Sequence, residues 1–282
     1  MGSAFNLNLA VGPLISGINP NQPVGVQISV GNTTAPDGSQ VPLYATPGSL
    51  TASIGGTIVA SIPDAANPTV LQVSAVIAGS LQVGDGVSGT AGSSSLPSGC
   101  EVLSQLTGAA GGTGTYRLNA GTNSGTLGSC EVTSVSTVLN VTAAAKGVPQ
   151  PGQQLADLTG GLLPGTLITA FLSGRRGAPG LYAVNQPQTV APETMTTSMT
   201  IVAQVQPLAA SDLRHMDMLN LQGSHRAFYF NAVIRGIVRI ALKGGDLLTL
   251  PDGSVWLVNQ PLESFEISAG WGKVAATLQS GA

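Results

Sequence analysis

Charge is scarce in this sequence: lysine and arginine number 10, aspartate and glutamate 13, together 8% of 282 residues. A net charge of −3 leaves nothing to neutralise phosphates across a surface, which excludes a basic nucleic-acid coat. Aromatic residues make up only 4%, and cysteine occurs twice. Two cysteines cannot build a disulfide framework, and without a CxxC pair no zinc site is expected. No apolar run reaches the length of a membrane-spanning helix. The first residues lack the basic region and compact apolar stretch of a secretory signal, so no leader is expected. Disorder is excluded from the other side, because 43% hydrophobic residues are too many for a chain that never buries them. Glycine (38) and proline (18) are what is plentiful. With a length that allows one large or two to three ordinary domains, this composition describes a weakly charged, β-rich protein.

Cys100 and Cys130 share a local context, Ser98-Gly99-Cys100-Glu101-Val102 and Gly128-Ser129-Cys130-Glu131-Val132. Neighbouring strands would allow one disulfide between them; two small buried hydrophobes is the alternative.

The scarce residues are unevenly spread. Residues 201–282 hold twelve of the charged residues, both histidines and both tryptophans. Residues 50–200 are dominated by Gly, Ser, Thr, Ala and Val, with Tyr116, Phe171 and Tyr182 as their aromatics. Such a shift marks a change of domain. The middle stretch repeats itself. Val70-Leu71-Gln72-Val73 matches Val138-Leu139-Asn140-Val141, and Gln82-Val83-Gly84 matches Gln150-Pro151-Gly152, both 68 residues apart. Gly99 to Leu103 then matches Gly165 to Thr169, and Leu106-Thr107-Gly108, Gly111, Gly114 and Tyr116 match Leu172-Ser173-Gly174, Gly177, Gly180 and Tyr182, now 66 apart. Alternation and β-branched content predict strands over 70–76, 101–106, 115–118, 131–139, 167–172 and 196–205, separated by glycine turns. Each tyrosine is expected to bury its ring and hydrogen-bond its hydroxyl at the edge. Stacking on a sugar is the other use of such a ring.

The flanks read as one unit. Residues 24–44 predict a hairpin turning at Asp37-Gly38-Ser39. After the repeats come a strand to Val205 and a short helix within Pro207–Leu221. Strands follow over 226–231, 233–242, 247–250, 255–259 and 274–278, with Trp256 and Trp271 in their core. The expected fold class is all-β. A small barrel or sandwich with one short helix is built from 1–50 and 200–282, residues 1–23 forming an extended arm. Two tandem β modules are inserted in it, 51–137 with its lead-in and 138–199.

Catalytic chemistry finds little to work with. No GxSxG, HExxH, Walker A or paired catalytic carboxylates occur. Gly108 to Gly114 lacks the Lys-Ser/Thr ending of a phosphate loop and reads as a hairpin tip. Asp212, His215 and Asp217, with His225 further on, are the nearest approach to a metal set, and a charged helix face explains them as well. No enzyme activity, cofactor or metal is expected. The basic residues offer contacts instead: Arg226, Arg235, Arg239 and Lys243 in the C-terminal sheet, with Arg235 and Arg239 on one face, and Arg175-Arg176 at a module tip. These are the candidate assembly or pore contacts; pairing of the sheet arginines with Asp246 and Glu263, and simple solvation of the tip, are the alternatives.

A series of motifs in the flanks resembles a known family. They are Tyr44-Ala45-Thr46-Pro47, Ala203-Gln204-Val205-Gln206-Pro207-Leu208, Asp212-Leu213-Arg214-His215-Met216-Asp217 and Leu219-Asn220-Leu221-Gln222-Gly223. Further on come Val238-Arg239, Lys243-Gly244-Gly245-Asp246-Leu247-Leu248, Trp256-Leu257-Val258, Leu262-Glu263 and Gly270-Trp271-Gly272-Lys273-Val274-Ala275-Ala276-Thr277-Leu278-Gln279. In this order they resemble the neck proteins of tailed bacteriophages, the collar, head-closure and head–tail connector proteins. In that family the Tyr-Ala-Thr-Pro strand runs almost directly into the Ala-Gln-Val-Gln strand. The modules are similar to Gly/Thr-rich β repeats of phage tail and decoration proteins, through Pro164-Gly165-Thr166 and Gly177-Ala178-Pro179-Gly180-Leu181-Tyr182. The first module departs from that pattern at Ser98-Gly99-Cys100.

The resemblance implies a structural virion protein at the head–tail junction, assembled in the host cytoplasm. It implies a homo-oligomeric ring, six- or twelve-fold, between portal or adaptor proteins and tail or sheath-terminator proteins. DNA would pass through the lumen without sequence-specific binding, no membrane is involved, and the modules would project outward. The alternative is a tail or baseplate adhesin that binds a host-surface glycan through the repeats.

Overall fold

The computed structural model describes residues 20–209, 211–212, 223–231, 234, 236–237, 244–265 and 271–280. They are all-β, and the chain divides into two compact units: the residues up to Pro47 with those from Ser198 on, and Gly48–Thr197. Strands are numbered in chain order.

The first unit holds β1 (Gln22–Gln27), β2 (Ser29–Thr34), β3 (Gln40–Tyr44), β15 (Thr200–Pro207), β16 (His225–Phe230), β17 (Leu247–Thr249), β18 (Val255–Phe265) and β19 (Trp271–Ser280). Six of them close a barrel in the order β1-β15-β16-β19-β18-β17, and β2 and β3 form a separate ribbon. Closure removes the open edges that a six-stranded sheet would otherwise expose. Period-two alternation supplies the core, with Val24 and Val26, Phe228 and Phe230, Trp256 and Val258, and Val274 and Ala276 all pointing inward. Phe228 meets Trp256 edge to face, with centroids 5.9 Å apart. Trp256 is 3% exposed, whereas Trp271, which opens β19, is half-buried, so only one of the two indoles is a core residue.

Two strands expected to be continuous are broken. The first arm of the hairpin expected over 24–44 divides at Ile28, β1 going to the barrel and β2 to the ribbon. Ser29 marks the change, its amide donating to the buried Asp246 Oδ1 at 2.8 Å. The stretch 196–205 divides at Met199, whose carbonyl accepts from the Val26 amide at 2.8 Å. Most of the helix expected in Pro207–Leu221 and of the strand expected over 233–242 lies outside the described residues.

The second unit is an eleven-stranded sheet: β4 (Gly48–Ile62), β5 (Val70–Gly79), β6 (Gly86–Ala91), β7 (Ser94–Ser95), β8 (Val102–Gln105), β9 (Gly114–Leu118), β10 (Leu127–Lys146), β11 (Gln154–Asp157), β12 (Ile168–Gly174), β13 (Gly180–Gln188) and β14 (Val190–Ser198). It has two lobes with separate cores, Ile58 to Val132 in one and Leu50 to Met195 in the other. The lobes are not consecutive beads. β10 pairs through its first half with Gly56–Ile62 of β4 and through its second half with Ser49–Ile54. The boundary expected at 137/138 therefore falls inside one long strand, and the expected lead-in is central. β4 carries the repeat itself, Thr51-Ala52-Ser53-Ile54 and Val59-Ala60-Ser61-Ile62, eight residues apart. In each copy the Ala and Ile side chains are buried.

Hydrogen bonds recur at the offsets read from the sequence. Tyr116 donates to the Gly112 carbonyl at 2.6 Å, and Tyr182 to that of Ala178 at 2.8 Å. Asn119 accepts from the Glu101 amide and donates to the Gly99 carbonyl, as Asn185 does with Leu167 and Gly165. Both tyrosines are buried, at 0% and 1% exposure. Tyr116→Phe and Tyr182→Phe should each cost about 1 kcal/mol, the usual net value of one such bond. Urea unfolding followed by circular dichroism would measure it, and a loss confined to one of the two would break the equivalence.

Candidate functional site

Arg226 is the candidate contact residue that the structure places most fully. It is exposed on β16, between its register partners Pro207 on β15 and Ala276 on β19. Arg226 shares its face of β16 with the core residues Phe228 and Phe230, but it stands near the start of the strand, where its side chain is exposed and its guanidinium lies 5.0 Å over the Trp256 ring. Arg226 borders an open recess of about 510 Å³, lined also by Pro207, His225, Asp252 and Ser254. The recess takes its rigidity from the turn Asp252-Gly253-Ser254 between β17 and β18. There the Trp256 indole donates to Ser254 Oγ at 2.8 Å, and that hydroxyl donates to Asp252 Oδ1 at 2.6 Å. The Ser254 hydroxyl, and after it the Ser254 amide, hold the Asp252 carboxyl below its ordinary range, with the Arg226 cation assisting. Ser254 is thus engaged on both sides. His225 shares Nδ1 with the Thr277 hydroxyl at 2.9 Å, while its Nε2 is buried without a partner among the described residues. An exposed cation held over a ring suits contact with an anionic or planar surface.

A second group was missed in the sequence. Lys273 on β19 is in register with Tyr229 on β16 and Glu263 on β18, so its neighbours are fixed by strand pairing. It is 5% exposed and bonds Asp212 Oδ1 at 2.7 Å, with Glu263 Oε1 at 3.6 Å and the Tyr229 ring centroid at 5.2 Å. Burial alone would lower the lysine's affinity for its proton. The hydrogen bonds of Asp212 and Tyr229 outweigh it and hold the ammonium above its ordinary 10.5. Asp212 also accepts from the Ala209 amide at 3.0 Å. Its role in the structure is that of the lysine's counter-ion. The signal was a lone lysine inside the run Gly272 to Ala276, with no partner near it in the chain. His215 and Asp217 lie outside the described residues, and no group of three or more His, Cys, Asp or Glu is placed to hold a metal among the described ones.

Arg235, Arg239 and Lys243 lie outside the described residues. Glu263, one suggested partner for the sheet arginines, is occupied with Lys273. Arg175 and Arg176 belong to the other unit, in the exposed turn between β12 and β13, where Arg176 lies 5.3 Å over the Phe171 ring. Cys100 and Cys130 are free thiols packed in the first lobe, the former buried and the latter half-buried. Comparison with protein-family models, curated proteins and solved structures returns no match to the chain.

Proposed function

We propose that the chain is a structural subunit of a tailed-phage virion, assembling as a ring at the head–tail junction as a neck, collar or head–tail connector protein. The observation that carries this reading is where the chain enters and leaves its inserted unit. Gly48 and Thr197 are register partners on β4 and β14, so the path departs and returns at adjacent points. On either side lie Thr46-Pro47 and the strand Thr200–Pro207, the two segments that run together in the family the flanks resemble. The motifs Ala203 to Pro207, Trp256 to Val258 and Gly272 to Leu278 lie on strands of the one closed barrel, which supports treating the barrel as the assembling part.

In this reading the protein is not an enzyme and takes no cofactor. The barrel contacts portal or adaptor proteins on one side and tail or sheath-terminator proteins on the other, with Arg226 among the contacts, and the inserted unit projects outward. DNA passes the lumen without base recognition. A groove lined by the rings of Tyr116 and Tyr182 would favour the adhesin alternative. Both rings are buried, which withdraws that support. Electron microscopy of virions labelled with antibody against residues 70–195 tests the proposal. Label is expected at the head–tail junction; label at the distal tail would overturn it in favour of host attachment.

A further inference from the structure

The first lobe closes on a turn, Gln82–Asp85, that the second lobe repeats at Gln150–Gln153. In each, the first amide donates to the side chain of the fourth residue, Gln82 N to Asp85 Oδ2 at 2.8 Å and Gln150 N to Gln153 Oε1 at 3.0 Å. In each, the glycine amide donates to the neighbouring strand, Gly84 to Val102 at 2.8 Å and Gly152 to Ile168 at 2.7 Å. The return bonds match as well, Val102 to Asp85 at 3.0 Å and Ile168 to Gln153 at 2.9 Å. Both side chains are buried, Asp85 at 1% and Gln153 at 0% exposure.

They differ at one atom. Gln153 Nε2 donates to the Val148 carbonyl at 2.9 Å, whereas Asp85 Oδ1 is buried and makes no hydrogen bond of ordinary geometry among the described residues. The carboxyl lies beside the hydroxyls of Ser134 and Ser136. Those two buried serines stand where β10 passes from one lobe to the other, and their oxygens accept from the Gly56 and Val138 amides.

We infer that Asp85 is a proton-operated brace between the Gln82–Asp85 turn and the seam of the sheet. When the carboxyl takes up a proton from water, its O–H bonds a seam serine oxygen, Oδ2 still accepts from Gln82, and the turn is held to β10. When the proton leaves, a charge is buried with no cation beside it and the turn opens more readily. The O–H bond of the carboxyl is the one covalent bond made or broken.

The surroundings agree. Burial raises the carboxyl's hold on its proton, and the Ser136 hydroxyl, the Gln82 amide and the Ser134 hydroxyl offset this only in part. From β9 the facing titratable group is Tyr116, whose own hydroxyl is held up first by burial and then by the Asp85 charge. Beside β8, the Glu101 side chain is exposed, and the Cys100 thiol is buried and directed to the Ala120 carbonyl. β6 carries no charged residue. Because the folded carboxyl ionises less readily than the unfolded one, folding takes up a proton. The stabilisation is complete below the unfolded value of 3.8 and is lost as pH rises through the folded value.

Amide exchange of the full chain between pH 4 and pH 8, corrected for the intrinsic rate, tests this. Protection around Gln82–Val87 should rise as pH falls, by about tenfold for each unit separating the folded and unfolded carboxyls, while Gln150–Leu155 stays level. Asp85→Asn should remove the response, and Gln153→Glu should create it in the second lobe. A flat response in the unaltered protein, an equal response in both lobes, or a response that survives Asp85→Asn would overturn the inference.

Discussion

Lys273→Met is expected to destabilise the barrel by about 3–5 kcal/mol, the cost of stranding one member of a buried ion pair. The substitution keeps the length and apolar stem of the side chain, so packing changes little. What it removes is the ammonium that neutralises Asp212, leaving a buried carboxylate whose remaining hydrogen bond among the described residues is from the Ala209 amide. Glu263 is nearer to solvent and loses less. Replacing both partners, Lys273→Met with Asp212→Leu, should recover most of the loss, because two apolar groups carry no desolvation penalty. The pH dependence gives a second check. A lysine held above its ordinary 10.5 stabilises the folded state fully below that value, and the contribution is lost as pH rises through the folded value. The unaltered protein should therefore lose stability above pH 10.5, and Lys273→Met should lose less there, what remains coming from buried tyrosines such as Tyr116 whose hydroxyls are also held up. Urea unfolding followed by Trp256 fluorescence measures both, and a loss under about 1 kcal/mol would mean that water reaches the pair and screens it.

What was legible in the sequence was whatever repeats locally. The glycine turns, the buried tyrosines and the 66- and 68-residue offsets all depend on neighbours within one lobe, and the structure places them as the alternation implied. β4 was not legible. Thr51 to Ile62 carries two short copies of one pattern back to back, which resembles featureless Ser/Ala/Ile sequence until its partners on β10 are known. The barrel's polar core was hidden for a related reason. Lys273 and Asp212 are 61 residues apart, and nothing near either in the chain names the other. Arg226 was singled out as a cation, yet its partner ring, Trp256, comes from a strand two places round the barrel, beyond β19. Local chemistry predicts local structure; the groups with functional character are assembled by pairing across long separations.

The shared strands make a larger prediction than either lobe does alone. Gly55 stands where β4 passes from one lobe to the other, at φ +61, and a Cβ there would lie 2.4 Å from the Ser134 carbonyl oxygen of β10. That oxygen is main chain and cannot swing away. Gly92, in the turn between β6 and β7, has the same φ of +61 with nothing within 4 Å of its would-be Cβ. Gly92→Ala should therefore cost only the left-handed conformation, about 1–2 kcal/mol. Gly55→Ala should cost that and about 1–3 kcal/mol more, as β10 is pushed from β4. Subtracting one from the other isolates the steric part, since the dihedral penalty cancels. The location of the damage is equally informative. If β4 and β10 hold both lobes, amide exchange in Gly55→Ala should accelerate around Leu71–Val73 and around Leu139–Val141 together. If the lobes were independent beads, only one of those stretches would respond, and the shared-strand architecture would be refuted.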